Sequence, residues 1–336
     1  MSSLGSVEIG ETRHGPFALG LQWASSTEKW RSRVEEALRD AVRSEDAYLT
    51  EVASHLILAG GKRVRPMFAI AAAASGGADV TDDVVRGGVA VELVHLGSLY
   101  HDDVIDEAPT RRTVESVNAR WGNLTAILAG DFLLARASEI AASLGTEVAG
   151  LLAATIGRLC EGEVSELRTA YNVDRTEAAY FSAIEGKTAS LFAAACRIGA
   201  IVGALPREQI EALTEFGLAY GMAFQIVDDV LDVTATEAEL GKPAGHDLVE
   251  GVYTLPVLRA LSGGNGLRSR LGAPIEGDEL DAALTAVRTD GAVDGSLDTA
   301  RDYAVGAISA LDPFRDSDGA AWLRGAVDDL FARVPV

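Results

Sequence analysis

Two apolar segments with helical periodicity end in the same acidic pattern. The segment VAVELVHLGSLYH precedes DDVID at residues 102–106, and GLAYGMAFQIV precedes DDVLD at residues 228–232. Helix positions four apart share a face, so the first and last Asp of each motif lie one turn apart on one side. A helix this apolar is buried along most of its length. The chain therefore has to fold so that two buried helices carry acidic clusters at their ends.

Helical spacing of apolar residues continues through most of the 336-residue chain. No run with strand periodicity or hairpin composition of comparable strength occurs. A Gly-rich stretch at 261–279 is the best linker candidate. The sequence predicts an all-α fold with a flexible N-terminal arm, residues 1–25, and one helical domain, residues 26–336. The predicted helices are two between 27 and 58, then 66–75, 81–107, 115–143, 145–171, 175–186, 188–204, 207–234, 254–262, 277–288, 292–311 and 317–333.

Charge and composition exclude several classes of function. The net charge of -21 repels nucleic acids and anionic membrane surfaces, whereas it suits the binding of cations. Apolar runs are interrupted before the roughly 18–20 residues that span a bilayer, so no transmembrane helix is predicted. The N-terminus lacks the basic start and apolar core of a secretory signal. Cys160 and Cys196 lack CxxC spacing, which is typical of reduced thiols in a cytoplasmic protein.

The duplicated acidic motif is typical of a divalent-cation site. One copy alone is better explained as a solvated helix end, but two copies in apolar helices favour metal binding, which relieves the repulsion between stacked carboxylates. Magnesium keeps several waters and takes phosphate oxygens as ligands, so the substrate is predicted to be a phosphate ester. The middle Asp points about 100° away from the shared face, and we expect Asp103 to matter less. The candidate metal ligands are Asp102, Asp103, Asp106, Asp228, Asp229 and Asp232.

Basic residues near glycines and near the first acidic motif form candidate anion sites. Arginine and lysine side chains bind phosphate oxygens through charge-assisted hydrogen bonds. A basic turn after a helix explains GGKRVRP equally well, and local charge balance explains the RR that follows the aspartates. One candidate set is Lys62, Arg65, His95 and Arg112, and the other is Arg111, Lys187 and Lys242.

Six segments between about residues 50 and 260 resemble, in order, the motifs of the trans-type polyprenyl (isoprenyl) diphosphate synthases. They are HLILAGGKRVRP, ELVHLGSLYHDDVIDEAPTRR, SVNARWGNLTAILAGDFLLARA, GKTASLF, FQIVDDVLD and GKPAGHDLVEGVYTLP. The resemblance implies a single helical bundle of the isoprenoid synthase type around a deep central cavity, active as a homodimer with about three Mg²⁺ ions per site. It implies head-to-tail (1'-4) condensation of isopentenyl diphosphate with an allylic diphosphate.

The resemblance also implies roles for single residues. Asp102, Asp106 and Asp228 match the chief metal positions, with Asp103, Asp229 and Asp232 beside them. The set that contains Lys62 matches the pocket for isopentenyl diphosphate, and the set that contains Lys187 matches contacts to the allylic diphosphate. Thr188 and Gln225 match polar groups near the developing carbocation, where Lys187 also acts. Two departures are RRTVES, which lacks the family's usual Gly and Pro, and Val252, where the family often has Lys.

Small residues below the first acidic motif bear on the length of the product. Gly97 lies about one and a half turns before Asp102, and Ser98 follows it. Shorter-chain members of the family commonly carry a bulky aromatic residue there, so the resemblance implies an open tunnel whose end is set deeper, by residues such as Val94, Leu93 and those around Phe132. We expect a long all-trans product, about C30 or longer, rather than a farnesyl or geranylgeranyl chain. Such a product would bring the enzyme into transient contact with a membrane.

Three other interpretations are weaker. A non-catalytic subunit of a two-component synthase usually loses Asp-rich positions, and this chain keeps both motifs. A class I terpene cyclase normally has an NSE-type second motif in place of DDVLD. A di-iron bundle needs two ExxH pairs, and besides Glu92 and His95 the chain has only Glu11 and His14, in the predicted arm.

Overall fold

Helices build most of the described chain, as the sequence predicts. The computed structural model describes residues 21–77, 79–234, 244–263, 266–289, 291–314, 317–332 and 334. Within these ranges the one ladder joins β1 (Thr110–Arg111) to β2 (Val114–Glu115). The helices are α1 (Leu21–Ala41), α2 (Ala47–Leu58), α3 (Val64–Ser75), α4 (Asp82–Ile105), α5 (Val117–Trp121), α6 (Asn123–Ser143), α7 (Thr146–Leu167), α8 (Glu177–Ile184), α9 (Ser190–Val202), α10 (Arg207–Thr234), α11 (His246–Val249), α12 (Leu255–Ser262), α13 (Asp278–Thr289), α14 (Ala292–Ala310) and α15 (Asp318–Phe331).

The two helices that carry the acidic motifs are buried along most of their length. Helix α4 packs against α3, α6 and α9, and α10 packs against α9 and α14. Fully buried residues occur on all sides of α4, as expected of a helix without a polar face. Phe68 and Phe192 lie at the centre, with ring centroids 5.2 Å apart. The acidic ends of α4 and α10 therefore emerge from the interior.

Side chains cap several of these helices at the positions where they begin. The Asp46 carboxylate accepts the backbone N–H groups of Tyr48 and Leu49 at the start of α2, and Thr81 accepts that of Val84 in α4. Such caps satisfy helix donors that have no partner within the helix, and each stabilises the fold by about 1 kcal/mol.

Several boundaries differ from the prediction. The helix predicted at 115–143 is broken at Gly122, whose φ of 83° no helix tolerates. The predicted helices at 175–186 and 188–204 are instead continuous through a π-helical turn, Glu185–Ala189. The β1–β2 hairpin and the short α11 have no counterpart in the predicted elements.

The N-terminal boundary and the predicted linker differ in outcome. Helix α1 begins at Leu21, inside the predicted arm, and residues 1–20 lie outside the described residues, so the boundary at 25 stays a prediction. In the predicted linker, Leu267 and Ile275 are buried in the same apolar cluster as Ile226 and Val227 of α10, so these two residues pack onto the bundle. Over the described residues no helix is long and apolar enough to cross a membrane.

Candidate active site

The two acidic motifs line one cavity of about 550 Å³. Helix α4 contributes Asp102 and Asp106 to its wall, and α10 contributes Asp228 and Asp229. Distant parts of the sequence therefore meet at one place, because α4 and α10 both end at this side of the bundle. The structure brings together the two halves of the predicted metal site.

Carboxylates greatly outnumber cations around this cavity. Burial raises the pKa of Asp102 to about 7, and the nearby Glu163 carboxylate adds to the rise. Burial, followed by Glu250, raises the pKa of Asp106. A cluster of this kind favours a cation, since each carboxylate destabilises the charge of the next. The acidic residues on the wall are Asp102, Asp106, Glu163, Glu166, Asp228, Asp229, Asp247 and Glu250.

Four of these acids were missed in the sequence: Glu163, Glu166, Asp247 and Glu250. Glu163 and Glu166 stand at i and i+3 in EGEVSEL near the end of a helix, a spacing that puts both on one face. That spacing was the available signal. Nothing local indicates which helix they face.

Asp103 and Asp232, which the motifs also predict to be metal ligands, do not line the cavity. Asp103 is fully buried and accepts hydrogen bonds from Arg111, through Nε at 2.7 Å and Nη2 at 2.6 Å. The Asp232 carboxylate accepts the backbone N–H of Asp247 at 3.2 Å. Helix geometry explains the position of Asp103, whose side chain points about 100° away from that of Asp102. The Asp232 carboxylate is instead bonded to the backbone of α11.

Asp229 lies on the cavity wall but is engaged by protein groups. It accepts hydrogen bonds from the Tyr180 hydroxyl at 2.5 Å and from Gln225 Nε2 at 2.8 Å. Gln225 Oε1 in turn accepts the Thr188 hydroxyl at 2.7 Å. The two polar residues predicted near the carbocation are therefore held by the second acidic motif.

Lys187 projects into the cavity from the π-helical turn. Its ammonium lies 2.6 Å from a Glu166 oxygen and 2.9 Å from a Glu163 oxygen. Burial lowers the pKa of Lys187, but the Glu166 and Glu163 carboxylates outweigh that effect and raise it, so the lysine is a cation at neutral pH. π-turns inside helices are frequent at functional sites.

Helix α7 and the π-helical turn touch through two glycines. A Cβ on Gly162 would lie 2.6 Å from the backbone N of Lys187, and one on Gly186 would lie 2.7 Å from the Arg158 carbonyl oxygen. Backbone atoms at such distances cannot move aside as a side chain can. The glycines thus permit the approach that brings Lys187 to Glu163 and Glu166.

Three of the four residues predicted to bind isopentenyl diphosphate lie close to one another. Burial and then the guanidinium groups of Arg65 and Arg112 hold the pKa of His95 well below its usual range, so these three predicted residues lie together and the histidine is neutral. Arg65 Nε is buried and has no hydrogen-bond partner within the described ranges. Lys62 is exposed on the turn before α3. An unsatisfied cationic donor is suited to an anionic ligand.

A strained hairpin turn presents Arg112. Arg112 and Thr113 have φ values of 53° and 66° between β1 and β2, the two positions of a type I′ turn that Asn and Gly usually occupy. Arg112 Nη1 donates to the carbonyls of Leu56, at 3.0 Å, and Gly60. Positive φ at non-glycine residues is costly and tends to occur where function requires it.

Arg63 is a further residue that sequence analysis missed. It adopts a φ of 50° at the start of α3, and its buried side chain lies 2.7 Å from Glu35 and 3.2 Å from Glu92. Glu92 therefore has an arginine as its partner, which is not the surrounding of a di-iron ligand. Through Glu35, helix α1 supports the loop that carries Lys62.

The positions predicted to set chain length have mixed surroundings. A Cβ on Gly97 would lie 3.1 Å from the Gly130 carbonyl oxygen and 3.2 Å from the Leu134 side chain, so Gly97 faces α6 at close range and does not mark an open space. Ser98 donates to the His95 carbonyl at 2.9 Å, and Val94 is buried. Val252 lines the cavity, and Lys242 lies outside the described residues.

Comparison with known proteins identifies the family to which a chain with this site belongs. The family model described as polyprenyl synthetase matches residues 46–285. The chain belongs to this family. Its relatives include heptaprenyl diphosphate synthase component 2 of Geobacillus stearothermophilus, 41% identical over 87% of this chain and 92% of that protein, and nonaprenyl diphosphate synthase of Mycobacterium tuberculosis, 40% identical over 90% and 92%.

Solved structures of polyprenyl synthetases share the fold. Decaprenyl diphosphate synthase from Rhodobacter capsulatus superposes with a TM-score of 0.87 at 35% identity, covering 94% of this chain and 99% of that one. A Caulobacter crescentus polyprenyl synthase, complexed with calcium and isoprenyl diphosphate, gives a TM-score of 0.85 at 36% identity, over 91% and 95%. The predicted family and its all-helical isoprenoid synthase fold are confirmed.

Proposed function

We propose that this protein is a magnesium-dependent polyprenyl diphosphate synthase, a prenyltransferase that condenses isopentenyl diphosphate with an allylic diphosphate. The observation that carries the proposal is the meeting of Asp102, Asp106 and Asp228 in one cavity with Lys187 and Arg111. Carboxylates, which bind metal ions, and cationic side chains, which bind phosphate oxygens, face the same cavity. The names of the synthetase relatives support the same activity.

The donor set fits magnesium. Its candidate ligands are carboxylate oxygens, and the raised pKa of Asp102 reflects carboxylates crowded into a buried site. Mg²⁺ keeps waters and binds substrate phosphates alongside one or two carboxylates, and the cavity wall supplies carboxylates from both α4 and α10. Asp102, Asp106 and Asp228 would hold about three ions, which would neutralise the diphosphate as it leaves.

The protein's own groups account for the rest of the reaction. Lys187 and Arg111 place positive charge where the diphosphate accumulates negative charge as the C–O bond breaks. The hydroxyl of Thr188 and the amide of Gln225 lie on the same wall, positioned by Asp229. The double bond of isopentenyl diphosphate then attacks the allylic cation to form the new C–C bond. A proton is lost from the adduct, and an oxygen of the released diphosphate is its acceptor in this proposal.

The product is proposed to be a long all-trans chain, about C30 or longer. Two of the relatives are named for heptaprenyl and nonaprenyl products, which supports this length over a farnesyl or geranylgeranyl chain. Positions 97 and 98 carry no aromatic side chain. The close packing of Gly97 against α6 lends the length no support of its own.

An exposed apolar face on α6 supports the proposed homodimer. Leu124, Ile127 and Leu128 are 73%, 42% and 57% exposed, and Tyr48 on α2 is 51% exposed. The opposite side of α6 packs against α4, so self-association through this face would lie directly behind the first acidic motif. Contiguous exposed apolar side chains favour association. We place the enzyme in the cytoplasm, with transient membrane contact through its product.

The decisive experiment uses the purified chain alone. It is incubated with Mg²⁺, isopentenyl diphosphate and one allylic primer at a time, and the dephosphorylated products are separated by chromatography. We expect extended chains that disappear when EDTA removes the metal. Absence of elongation with every primer would overturn the enzyme assignment. Turnover that appears only after a second protein chain is added would establish the heteromeric alternative, which the name component 2 of one relative makes worth testing.

A further inference from the structure

Arg175 is a buried arginine behind the cavity wall, in the loop between α7 and α8. Its residue surface is 6% exposed. Nη1 donates to the Tyr253 carbonyl at 3.1 Å. Nε and Nη2 are buried, and within the described part of the chain neither has a hydrogen-bond partner. Removing a guanidinium from water is unfavourable unless charges or hydrogen bonds compensate, so its position calls for an explanation.

The surroundings of Arg175 belong to the active site. Its guanidinium carbon lies 5.7 Å from the centre of the Tyr180 ring. Burial lowers the pKa of Arg175, and the carboxylates of Glu166 and Asp229 oppose that effect, which places both near it. Tyr180, Glu166 and Asp229 all line the cavity, while Arg175 stands behind them.

The lysine and the arginine that line the described cavity wall are both paired with carboxylates. Lys187 is held between Glu163 and Glu166, and the Arg111 guanidinium is bonded to Asp103. Arg175 makes no direct ion pair with a described residue, so its positive charge acts on the cavity through a low-dielectric wall. An anionic diphosphate entering a cavity rich in carboxylates gains from such a fixed charge.

We propose that Arg175 is a positioning residue of the allylic diphosphate site. It supplies a fixed positive charge behind Tyr180, Glu166 and Asp229, and it ties this wall to the carbonyl of Tyr253. It acts through the wall and does not touch the substrate. The inference rests on the proposed function, because it takes the cavity to be the place where diphosphate binds.

The test compares the charge at 175 with that of Arg268, an arginine that contacts the same loop from another part of the chain. Arg268 donates to the Val173 carbonyl at 3.3 Å and pairs with Asp174, but its side chain is 55% exposed and lies outside the cavity. Binding of inorganic pyrophosphate in the presence of Mg²⁺ is measured by calorimetry. We expect Arg175→Gln to weaken it about tenfold, Arg175→Lys to weaken it less than about threefold, and Arg268→Gln to leave it unchanged.

A second substitution separates charge from structural support. Val252 lines the cavity beside Tyr253, so Val252→Lys adds a cation to the same wall. In the Arg175→Gln background it is expected to recover most of the lost affinity. Loss of affinity that Val252→Lys does not recover, or equal losses in Arg175→Gln and Arg268→Gln, would show a structural role and overturn the proposal.

Two other outcomes can be told apart from failure of the proposal for Arg175: the Arg175→Gln variant does not fold, or the unmodified protein elongates no primer. If Arg175→Gln does not fold, Val252→Lys alone must tighten pyrophosphate binding about threefold, and unchanged or weaker binding overturns the proposal. If the unmodified protein binds pyrophosphate with Mg²⁺ but elongates no primer, the proposed function fails while the role of Arg175 is still measured. Steady-state constants then refine the result in an active enzyme: Arg175→Gln should raise KM for the allylic diphosphate more than it lowers kcat.

Discussion

The buried carboxylate of Asp103 holds the guanidinium of Arg111 through Nε and Nη2, at 2.7 and 2.6 Å. Both residues belong to HDDVIDEAPTRR, in which Asp102 and Asp106 face the cavity. Neighbouring aspartates in one motif therefore have different roles: two face the cavity, and the one between them holds an arginine that is predicted to bind diphosphate.

This division predicts different effects for two adjacent substitutions. Asp102→Asn removes a metal-facing charge, so we expect the Mg²⁺ concentration for half-maximal activity to rise about tenfold or more. Asp103→Asn loosens Arg111, so KM for the allylic diphosphate should rise about tenfold while the Mg²⁺ requirement stays close to that of the unmodified protein. Metal titrations at saturating substrate and substrate titrations at saturating metal separate the two. Identical shifts in Mg²⁺ requirement would contradict the assignment of Asp103.

The raised pKa of Asp102 predicts a dependence of metal binding on pH. Its value in the folded protein is about 7, against 3.8 as the ordinary value, so between these limits the folded, metal-free state holds a proton that the unfolded state has released. Stability of the metal-free protein should therefore fall as pH rises from about 4 to about 7. Mg²⁺ must displace this proton below pH 7, so its apparent affinity should rise with pH and level off above about 7.5.

Metal affinity is measured between pH 5.5 and 8.5 by calorimetry, and unfolding of the metal-free protein by urea titration over the same range. In the Asp102→Asn variant, which cannot titrate at this position, both slopes should shrink. A slope of the same size in that variant would assign the effect to another group.

The contact between α7 and the π-helical turn predicts a large effect of one methyl group. In Gly162→Ala the new Cβ would meet the backbone N of Lys187 at 2.6 Å and the Ala183 carbonyl at 2.8 Å. The turn must shift, and kcat/KM should fall at least about tenfold as Lys187 moves. Gly150 lies on the same helix, and a Cβ there would have no atom within 4 Å, so Gly150→Ala should keep full activity and gain about 0.5–1 kcal/mol of stability. Similar activities in the two variants would refute the steric argument.

Thr113 gives a prediction about stability. A β-branched residue at a φ of 66° is strained, and Asn tolerates this conformation better without the flexibility of Gly. Thr113→Asn should raise the free energy of unfolding by about 1 kcal/mol. Thr110, exposed in β1 of the same hairpin, serves as the control, because Asn lowers strand propensity there and Thr110→Asn should not stabilise the protein. Equal effects at the two positions would mean that Thr113 is not strained.

Periodicity was sufficient to predict most of the helices, though not all of their boundaries, and the pairing of Asp102 with Asp106 on the cavity wall. It also placed Asp103 off the shared face, which the structure bears out. The ion pairs of Lys187 with Glu163 and Glu166 depend on the crossing of two helices, which no local pattern encodes. For the same reason the segment around Lys187 resembled a helix break, although the structure accommodates one extra residue in a π-turn.

Gly97 is a second case in which the sequence does not reveal the packing partner of a residue. Its distance below Asp102 followed from helix geometry, but its neighbour across the interface did not, and that neighbour is the backbone of α6. The family resemblance predicts an open tunnel at this level, because the chain lacks the bulky aromatic residue that shorter-chain members carry there. The space above Gly97 is in fact occupied by Leu134 and the Gly130 carbonyl. A small residue in a helix marks either a void or a close contact, and only the packing partner decides between them.

This packing changes how Gly97 is tested as a determinant of product length. Gly97→Phe places a large ring against α6, so it should reduce stability by about 1–3 kcal/mol. Because the Gly130 carbonyl belongs to the backbone and cannot move aside as a side chain can, the ring should turn toward the predicted tunnel and shorten the product. Adding Leu134→Ala removes the side chain that a Cβ at 97 would meet at 3.2 Å, and should restore stability while the product stays short. Leu134→Ala alone controls for the lost leucine. Chain lengths are compared by chromatography of dephosphorylated products, with urea unfolding of each variant. If the folded double variant makes the same chain as the unmodified enzyme, Gly97 does not gate elongation, and the stop lies elsewhere, with buried Val94 the next position to change.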